Sequence, residues 1–198
     1  MNLPNKLTVA RIIATPVFLA IMLADRIMFN STVALFLFIA ASLTDLLDGK
    51  IARSRGMITN FGKFLDPIAD KMLTTAAMLG FIVILPSENL KIQMAIITFI
   101  TLFREFTVAS VRLIAVSSAS QKVIPANIWG KLKTVAQMTS IIIGLAAYSV
   151  NEIFCLSAAF FGVTLAAFMA VSWVSAVLCT VSGLIYLKDS KEFIDSRK

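Results

Sequence analysis

The chain has 198 residues, of which 59% are hydrophobic and only 15% are charged, and its mean hydropathy is +0.89. A soluble domain is about 25% charged, so this composition excludes an ordinary soluble protein and predicts a polytopic helical membrane protein. The sequence contains no histidine, which excludes imidazole zinc sites, serine–histidine triads and histidine general bases.

Apolar stretches of about 20 residues mark membrane-spanning helices. In chain order, they predict six spans, at residues 7–23, 32–47, 68–85, 92–116, 128–150 and 165–187. The first stretch carries Arg11 and Pro16 and no cleavage pattern, so it is interpreted as a retained span rather than a signal peptide. The last apolar run begins at residue 153 and is too long for one span, so a short interfacial piece is expected near residues 154–162. The expected fold is a single all-α transmembrane domain over residues 1–198.

The basic residues are distributed unevenly between the two sides of this predicted domain. The joints that follow the odd-numbered spans carry only Arg26 and Lys91 as cations, whereas the opposite side collects the other lysines and arginines. Because cytoplasmic loops carry an excess of Lys and Arg, both termini are predicted to be cytoplasmic. The net charge of +7 also suits anionic lipid headgroups. The cations are scattered and lack interleaved aromatic residues, so no nucleic-acid partner is expected.

Four carboxylates lie in an otherwise apolar part of the chain, at the predicted cytoplasmic edge of the bilayer. Asp45 and Asp48 end the second predicted span, and Asp66 and Asp70 open the third. Spacings of three and four residues put each pair on one helix face, and a short joint lets the two faces converge. Converging carboxylates repel one another unless a cation is bound. Oxygen ligands favour Mg²⁺ or Mn²⁺, and four of them suit a two-metal site that clamps phosphates.

Other residues of this predicted loop suit a phosphate ligand. Gly49 and Gly62 let the backbone come close, Arg53 can contact a phosphate with two N–H groups, and Thr59 offers a hydroxyl. The alternative is that the aspartates only cap helix ends, with Asp66 favouring a helix start before Pro67. Capping needs one carboxylate at each end, whereas this segment has two.

The pattern Asp45-x-x-Asp48-Gly49-x-x-Ala52-Arg53, followed by Gly62, Asp66 and Asp70 after eight, three and three residues, resembles the signature of the CDP-alcohol phosphotransferase family. The resemblance implies that all four aspartates bind metal and that Asp70 also accepts a proton. It further implies a homodimer in the inner (cytoplasmic) membrane, with its active site facing the cytoplasm. The residues implied to contact the CDP-linked lipid are Asn5, Thr8, Gly49, Ala52, Arg53, Thr59 and Gly62.

Two further segments, "NLPNKLTVARI" and "REF…R…WGKLKTVAQM", are similar to family members that transfer a phosphatidyl group from CDP-diacylglycerol to glycerol 3-phosphate and release CMP. The residues expected to bind the acceptor are Arg104, Arg112, Lys131 and Lys133. Charges inside a span are expensive and normally face a polar cavity, which independently supports this expectation for Arg104. Two alternatives stay open: Arg104 with Glu105 as a structural ion pair, and Lys131 as a headgroup anchor.

Three other functions compete with this interpretation. Another enzyme of the family would use phosphatidylglycerol, forming cardiolipin, or inositol 1-phosphate as its acceptor. A cation transporter would have its aspartates near the bilayer midplane rather than at the edge. A purely structural membrane protein would leave the eight-position signature unexplained.

Overall fold

The computed structural model describes residues 2–24, 26–54, 60–117 and 128–190. For residues 3–4, 45–54, 60–61, 63–64, 66 and 112–117 it describes the backbone only. The described chain is helical. Its elements are α1 (Leu3–Met22), α2 (Asn30–Ser54), α3 (Asn60–Ile84), α4 (Glu88–Ser117), α5 (Ile128–Phe154) and α6 (Ala158–Asp189).

The six helices form a closed ring in the order α1, α2, α5, α6, α4 and α3, with α3 also contacting α2 and α5 across the ring. Successive helices run in opposite directions. As a result, α1, α3 and α5 begin at the end of the bundle where α2, α4 and α6 finish. We call this the aspartate end, because both aspartate pairs lie on helical segments there.

Aromatic rings and a glycine fill the middle of the ring. Phe81 of α3 and Phe168 of α6 pack with their ring centroids 4.5 Å apart, and both are fully buried. Gly144 of α5 faces these two rings so closely that a Cβ there would lie 2.6 Å from Phe81 Cζ. Many large apolar side chains point outward instead, including Phe99, Phe103 and Phe106 of α4. Such exposure suits helices surrounded by lipid.

Four helices are long and apolar enough to cross a membrane: Asn5–Met22, Pro67–Ile84, Glu88–Val111 and Ala158–Asp189. The apolar part of α2, Asn30–Thr44, is shorter. Helix α5 buries Lys133, Gln137 and Ser140 along one face, which lowers its hydropathy. Its polar side chains have partners inside the bundle, since the Ser140 and Ser172 hydroxyls are 3.0 Å apart and Gln137 Nε2 lies 3.2 Å from Met78 Sδ. The described chain therefore has four clear candidate spans and two less apolar helices.

The expected interfacial piece at residues 154–162 is wrong. Helix α5 continues to Phe154, and after a three-residue connection α6 begins at Ala158 and runs unbroken for 32 residues. The chain turns at Cys155, which has a positive φ of 47°, and the Ser157 hydroxyl accepts a hydrogen bond from the Phe160 N–H. This N-cap starts the helix well before the predicted span. A helix of this length is about 48 Å long, so it exceeds a ~30 Å hydrocarbon core.

Candidate active site

Both aspartate pairs lie within helices rather than at helix ends. Helix α2 continues past Asp45 and Asp48 to Ser54, and α3 begins at Asn60, ahead of Asp66 and Asp70. The capping alternative is therefore wrong for these carboxylates, because a capping residue flanks its helix. Asp70 is exposed on α3, whereas the side chains of the other three aspartates lie outside the described residues.

The residues expected in a phosphate-binding loop are mostly helical. Gly49, Ala52 and Arg53 belong to α2, and Gly62 is buried near the start of α3. The loop placement is thus wrong for Gly49, Arg53 and Gly62, because both helices continue past the apolar stretches that predicted the spans. Thr59 lies outside the described residues.

Helix α1 turns a polar stripe toward the bundle interior. Asn5 and Thr8 are 6% and 1% exposed, and Arg11, about one turn further along, is 3% exposed. The Thr15 hydroxyl continues the stripe and donates to the Arg11 carbonyl at 2.9 Å. Arg11 therefore lies inside the bundle rather than at its surface. The stripe starts at the aspartate end.

Three cationic side chains converge on one carboxylate, that of Glu105 in α4. Glu105 Oε2 lies 3.0 Å from Lys71 Nζ of α3, while Oε1 accepts hydrogen bonds from Lys133 Nζ of α5 and, at 3.2 Å, from Arg104 Nη1. We call these four residues the Glu105 cluster. Its side chains are only 9–15% exposed, except for Lys71 at 39%. With three cations and one carboxylate, the cluster has an excess of positive charge.

Helix α6 provides a close-fitting site for Arg104. Arg104 Nη2 donates to the Ser182 hydroxyl at 2.8 Å. At Gly183 an added Cβ would lie 3.0 Å from Arg104 Cγ, and at Gly130 it would lie 3.7 Å from Arg104 Nη2. The Arg104 Nε is buried and has no hydrogen-bond partner among the described residues. The predicted Arg104–Glu105 ion pair is present, and it belongs to a network that spans four helices.

The other expected acceptor contacts differ in their surroundings. Lys133 is 7% exposed and belongs to the Glu105 cluster, whereas Lys131, two residues earlier on α5, is exposed. Arg112 lies on α4 toward the aspartate end, and its side chain is outside the described residues. The structure therefore brings Arg104 and Lys133 together and leaves Lys131 at the surface.

Sequence reasoning missed two members of this network, Lys71 and Ser182. Lys71 directly follows Asp70, but its sequence position gives no sign that it contacts a carboxylate on the next helix. Ser182 is one of several hydroxyl residues of α6, and the sequence gives no sign that this one contacts Arg104 on α4.

The signature residues agree with a comparison against known protein families. The model of the CDP-alcohol phosphatidyltransferase family matches residues 1–181. The chain belongs to this family. The resemblance predicted from the aspartate pattern is therefore confirmed, and the match includes all four aspartates and the Glu105 cluster.

Three relatives of this chain have names that describe the same activity. The chain is 41% identical over 151 residues to a CDP-diacylglycerol–glycerol-3-phosphate 3-phosphatidyltransferase of Bacillus subtilis, covering 71% of this chain and 74% of the relative. A Rickettsia typhi protein of the same name is 33% identical over 97% of this chain and 98% of its own length. A probable phosphatidylglycerophosphate synthase of Mycobacterium tuberculosis is 38% identical over 71% of this chain and 64% of the relative.

Proposed function

We propose that this protein is a phosphatidylglycerophosphate synthase. It transfers a phosphatidyl group from CDP-diacylglycerol to glycerol 3-phosphate, giving phosphatidylglycerophosphate and CMP. The names of the relatives support this reaction, and the Glu105 cluster is the structural observation that supports an acceptor with a phosphate of its own. A cluster with three cations and one carboxylate suits the phosphate of glycerol 3-phosphate or of inositol 1-phosphate, so the relatives' names decide between these two acceptors.

The donor set fits a pair of divalent cations. Asp45 and Asp48 are three residues apart in α2, Asp66 and Asp70 are four apart in α3, and these two helices contact each other. In a helix each spacing puts both carboxylates on one face, which supports these four residues as the ligands of Mg²⁺ or Mn²⁺. When bound, the ions supply Lewis-acid stabilisation of the negative charge on the diphosphate.

The chain's own residues bind and orient the two substrates in this proposal. Asn5, Thr8, Gly49, Ala52, Arg53, Thr59 and Gly62 contact the CDP-linked lipid. Asp70 is exposed and takes the proton from the primary hydroxyl of glycerol 3-phosphate as that oxygen attacks the phosphorus attached to diacylglycerol. Displacement of CMP is direct. The sequence has no histidine, and no serine or cysteine nucleophile stands out in the signature.

Cations near Asp70 bind the phosphate of the acceptor. The candidates are Lys133, which is buried, and Arg104, which is partly buried, and Arg112 extends the site along α4. The contact between Lys71 and Glu105 supports a position for this phosphate near α3, because Lys71 is the residue after Asp70. The surface position of Lys131 favours the headgroup role for this residue.

We further propose a six-span, homodimeric protein of the bacterial inner membrane, in which residues 1–198 form one domain. Helices α2 and α5 then cross the membrane together with the four clearly apolar helices. The excess of lysine and arginine at the aspartate end supports cytoplasmic termini and a cytoplasmic active site. In this orientation the lipid diphosphate arrives from the bilayer and the polar acceptor from the cytosol.

A comparison of acceptors tests the proposed reaction. The purified protein is given CDP-diacylglycerol with Mg²⁺ or Mn²⁺ and one of three acceptors: glycerol 3-phosphate, inositol 1-phosphate or phosphatidylglycerol. We expect rapid CMP release with glycerol 3-phosphate alone. Preference for either of the other acceptors assigns the protein to another branch of the family. No CMP release with any acceptor leaves the transporter alternative.

A further inference from the structure

Glu105 connects the helix of the proposed proton acceptor to the helix of the proposed phosphate contact. One of its oxygens, Oε2, pairs with Lys71 on α3, and the other, Oε1, pairs with Lys133 on α5. Lys71 directly follows Asp70 in sequence. One side chain on α4 therefore sets the spacing between two helices that each carry part of the proposed site.

One cation is enough to neutralise a largely buried carboxylate. The Glu105 carboxylate pairs with three, on Lys71, Arg104 and Lys133. An ion pair that served only to stabilise the bundle would gain little from the second and third, because crowded cations repel one another. Their arrangement suits a different role. The carboxylate holds several cations in fixed positions that a phosphate can then use, in the way that preorganised donors serve a charged ligand.

The neighbouring residue Arg104 also holds the Glu105 carboxylate in place. Arg104 donates both to Glu105 Oε1 and to the Ser182 hydroxyl of α6, and Gly183 leaves the space that its side chain fills. The carboxylate is thus held by α4 and α6 while it contacts Lys71 and Lys133. A carboxylate held in this way can fix the positions of both lysine side chains.

We infer that Glu105 is a positioning residue that sets Asp70 on α3 and Lys133 on α5 at the separation that glycerol 3-phosphate requires. This role rests on the proposed function. Through Lys133, Glu105 controls binding of the acceptor phosphate. Through Lys71, it controls the placement of the carboxylate that takes the proton.

The test compares two Glu→Gln variants at opposite ends of the bundle. Glu105→Gln keeps the shape and removes the charge, so we expect the KM for glycerol 3-phosphate to rise roughly 10- to 100-fold, with a smaller change in the KM for CDP-diacylglycerol. Glu152 of α5 accepts hydrogen bonds from the Ser31 and Thr32 N–H groups, far from the Glu105 cluster. Glu152→Gln should lower the unfolding temperature and leave both KM values near those of the wild type.

Two more variants distinguish the effect of the Glu105–Lys71 contact from that of the Glu105–Lys133 contact. Lys71→Met removes the contact to α3 and one cation of the cluster, so kcat should fall by a larger factor than the KM for glycerol 3-phosphate rises. Glu105→Asp keeps the charge on a shorter side chain, so its KM should lie between those of the wild type and Glu105→Gln. These two variants carry the test if Glu105→Gln does not fold.

Several outcomes overturn this role. If Glu105→Gln loses thermal stability as Glu152→Gln does, without a selective change in the KM for glycerol 3-phosphate, Glu105 is only structural. A lower KM in Glu105→Gln means that the carboxylate competes with the acceptor phosphate. An unchanged kcat in Lys71→Met removes the link to Asp70. Failure of the proposed function appears separately, because the wild type itself would not use glycerol 3-phosphate.

Discussion

Lys131 and Lys133 lie two residues apart on α5, and their surroundings differ. Lys131 is exposed, whereas Lys133 is 7% exposed and bonded to Glu105. Desolvation strengthens a charge-assisted contact, so the same side chain contributes more to anion binding in the second position. At the residue scale, burial rather than residue type is the reason for assigning the proposed acceptor contact to Lys133.

Lys133→Ala therefore tests the acceptor site, with Lys131→Ala as its matched control. A lost charge-assisted hydrogen bond is worth about 1.5–3 kcal/mol, so Lys133→Ala should raise the KM for glycerol 3-phosphate roughly 10- to 100-fold. Lys131→Ala should change it by less than about threefold, in keeping with a surface lysine. Steady-state kinetics with each substrate varied in turn provide the measurement. Equal effects of Lys133→Ala on both KM values would assign Lys133 to general stability instead.

Asp70→Asn tests the proposed proton acceptor. The substitution keeps the size of the side chain and removes its basicity, so turnover should fall to background while the Kd for CDP-diacylglycerol stays within about fivefold. Asp45→Asn serves as the control and should weaken metal and CDP-diacylglycerol binding together. Calorimetric titration of CDP-diacylglycerol in the presence of Mg²⁺ or Mn²⁺ separates the two. Substantial turnover by Asp70→Asn would eliminate this carboxylate as the required base.

At the scale of the helices, close contacts at glycine hold the ring together. Gly144 brings α5 against the Phe81 and Phe168 rings, and Gly80 brings α3 against Met22 of α1, where an added Cβ would lie 2.6 Å from Sδ. Gly80 thus makes a close helix contact within the chain. A polar contact supports the ring at the opposite end, where Glu152 caps the start of α2.

Gly144→Ala should destabilise the bundle more than a glycine substitution in open space. Its Cβ would lie 2.6 Å from Phe81 Cζ and 2.8 Å from two atoms of the Phe168 ring, and such overpacking costs about 1–3 kcal/mol. Gly162 of α6 has no atom within 4 Å of its added Cβ, so Gly162→Ala is the control and should be neutral or stabilising by up to about 1 kcal/mol. Thermal unfolding in detergent measures both. A Gly144→Ala protein as stable as the wild type would contradict the tight packing at this point.

The sequence predicted the helices better than it predicted their ends and their mutual contacts. Apolar length identified each of the six helices, because lipid requires a continuous stretch of this kind. Hydropathy does not detect helical turns in polar sequence, so it missed the extension of α2 through Asp48 to Ser54. It also missed the turn at Cys155, a residue type that seldom adopts a positive φ. The Lys71–Glu105–Lys133 contacts depend on the ring order of the helices, which no local pattern contains.

At the scale of the whole molecule, the two ends of the bundle differ. The aspartate end carries the signature residues and the Glu105 cluster. The opposite end has a crevice of about 440 Å³ lined by residues that include Lys91, Tyr148 and Glu152. The Tyr148 hydroxyl donates to the Ile84 carbonyl at 3.0 Å, which joins α5 to the end of α3. A reaction between a membrane lipid and a cytosolic phosphate requires the aspartate end to face the cytoplasm.

Chemical labelling of the two native cysteines tests this orientation directly. Cys155 is exposed at the end opposite the aspartates, and Cys179 is buried in α6. In intact cells an impermeant thiol reagent should therefore modify Cys155. In a Cys155→Ser background, Ser87→Cys and Asn151→Cys should be labelled, whereas Ser54→Cys and Ser120→Cys should react only after the membrane is opened. Labelling of Ser54→Cys in intact cells, together with no labelling of Cys155 in the wild type, would reverse the topology.

In the proposed reaction the protein joins an anionic, water-soluble acceptor to a lipid at a metal-dependent carboxylate site. This reaction is tested by the incorporation of isotopically labelled glycerol 3-phosphate into lipid extracted from a reaction of the purified wild type with CDP-diacylglycerol. We expect one labelled lipid molecule for each CMP released, and no reaction once EDTA has removed the divalent cations. CMP release without labelled lipid, or incorporation that persists with EDTA, would contradict it.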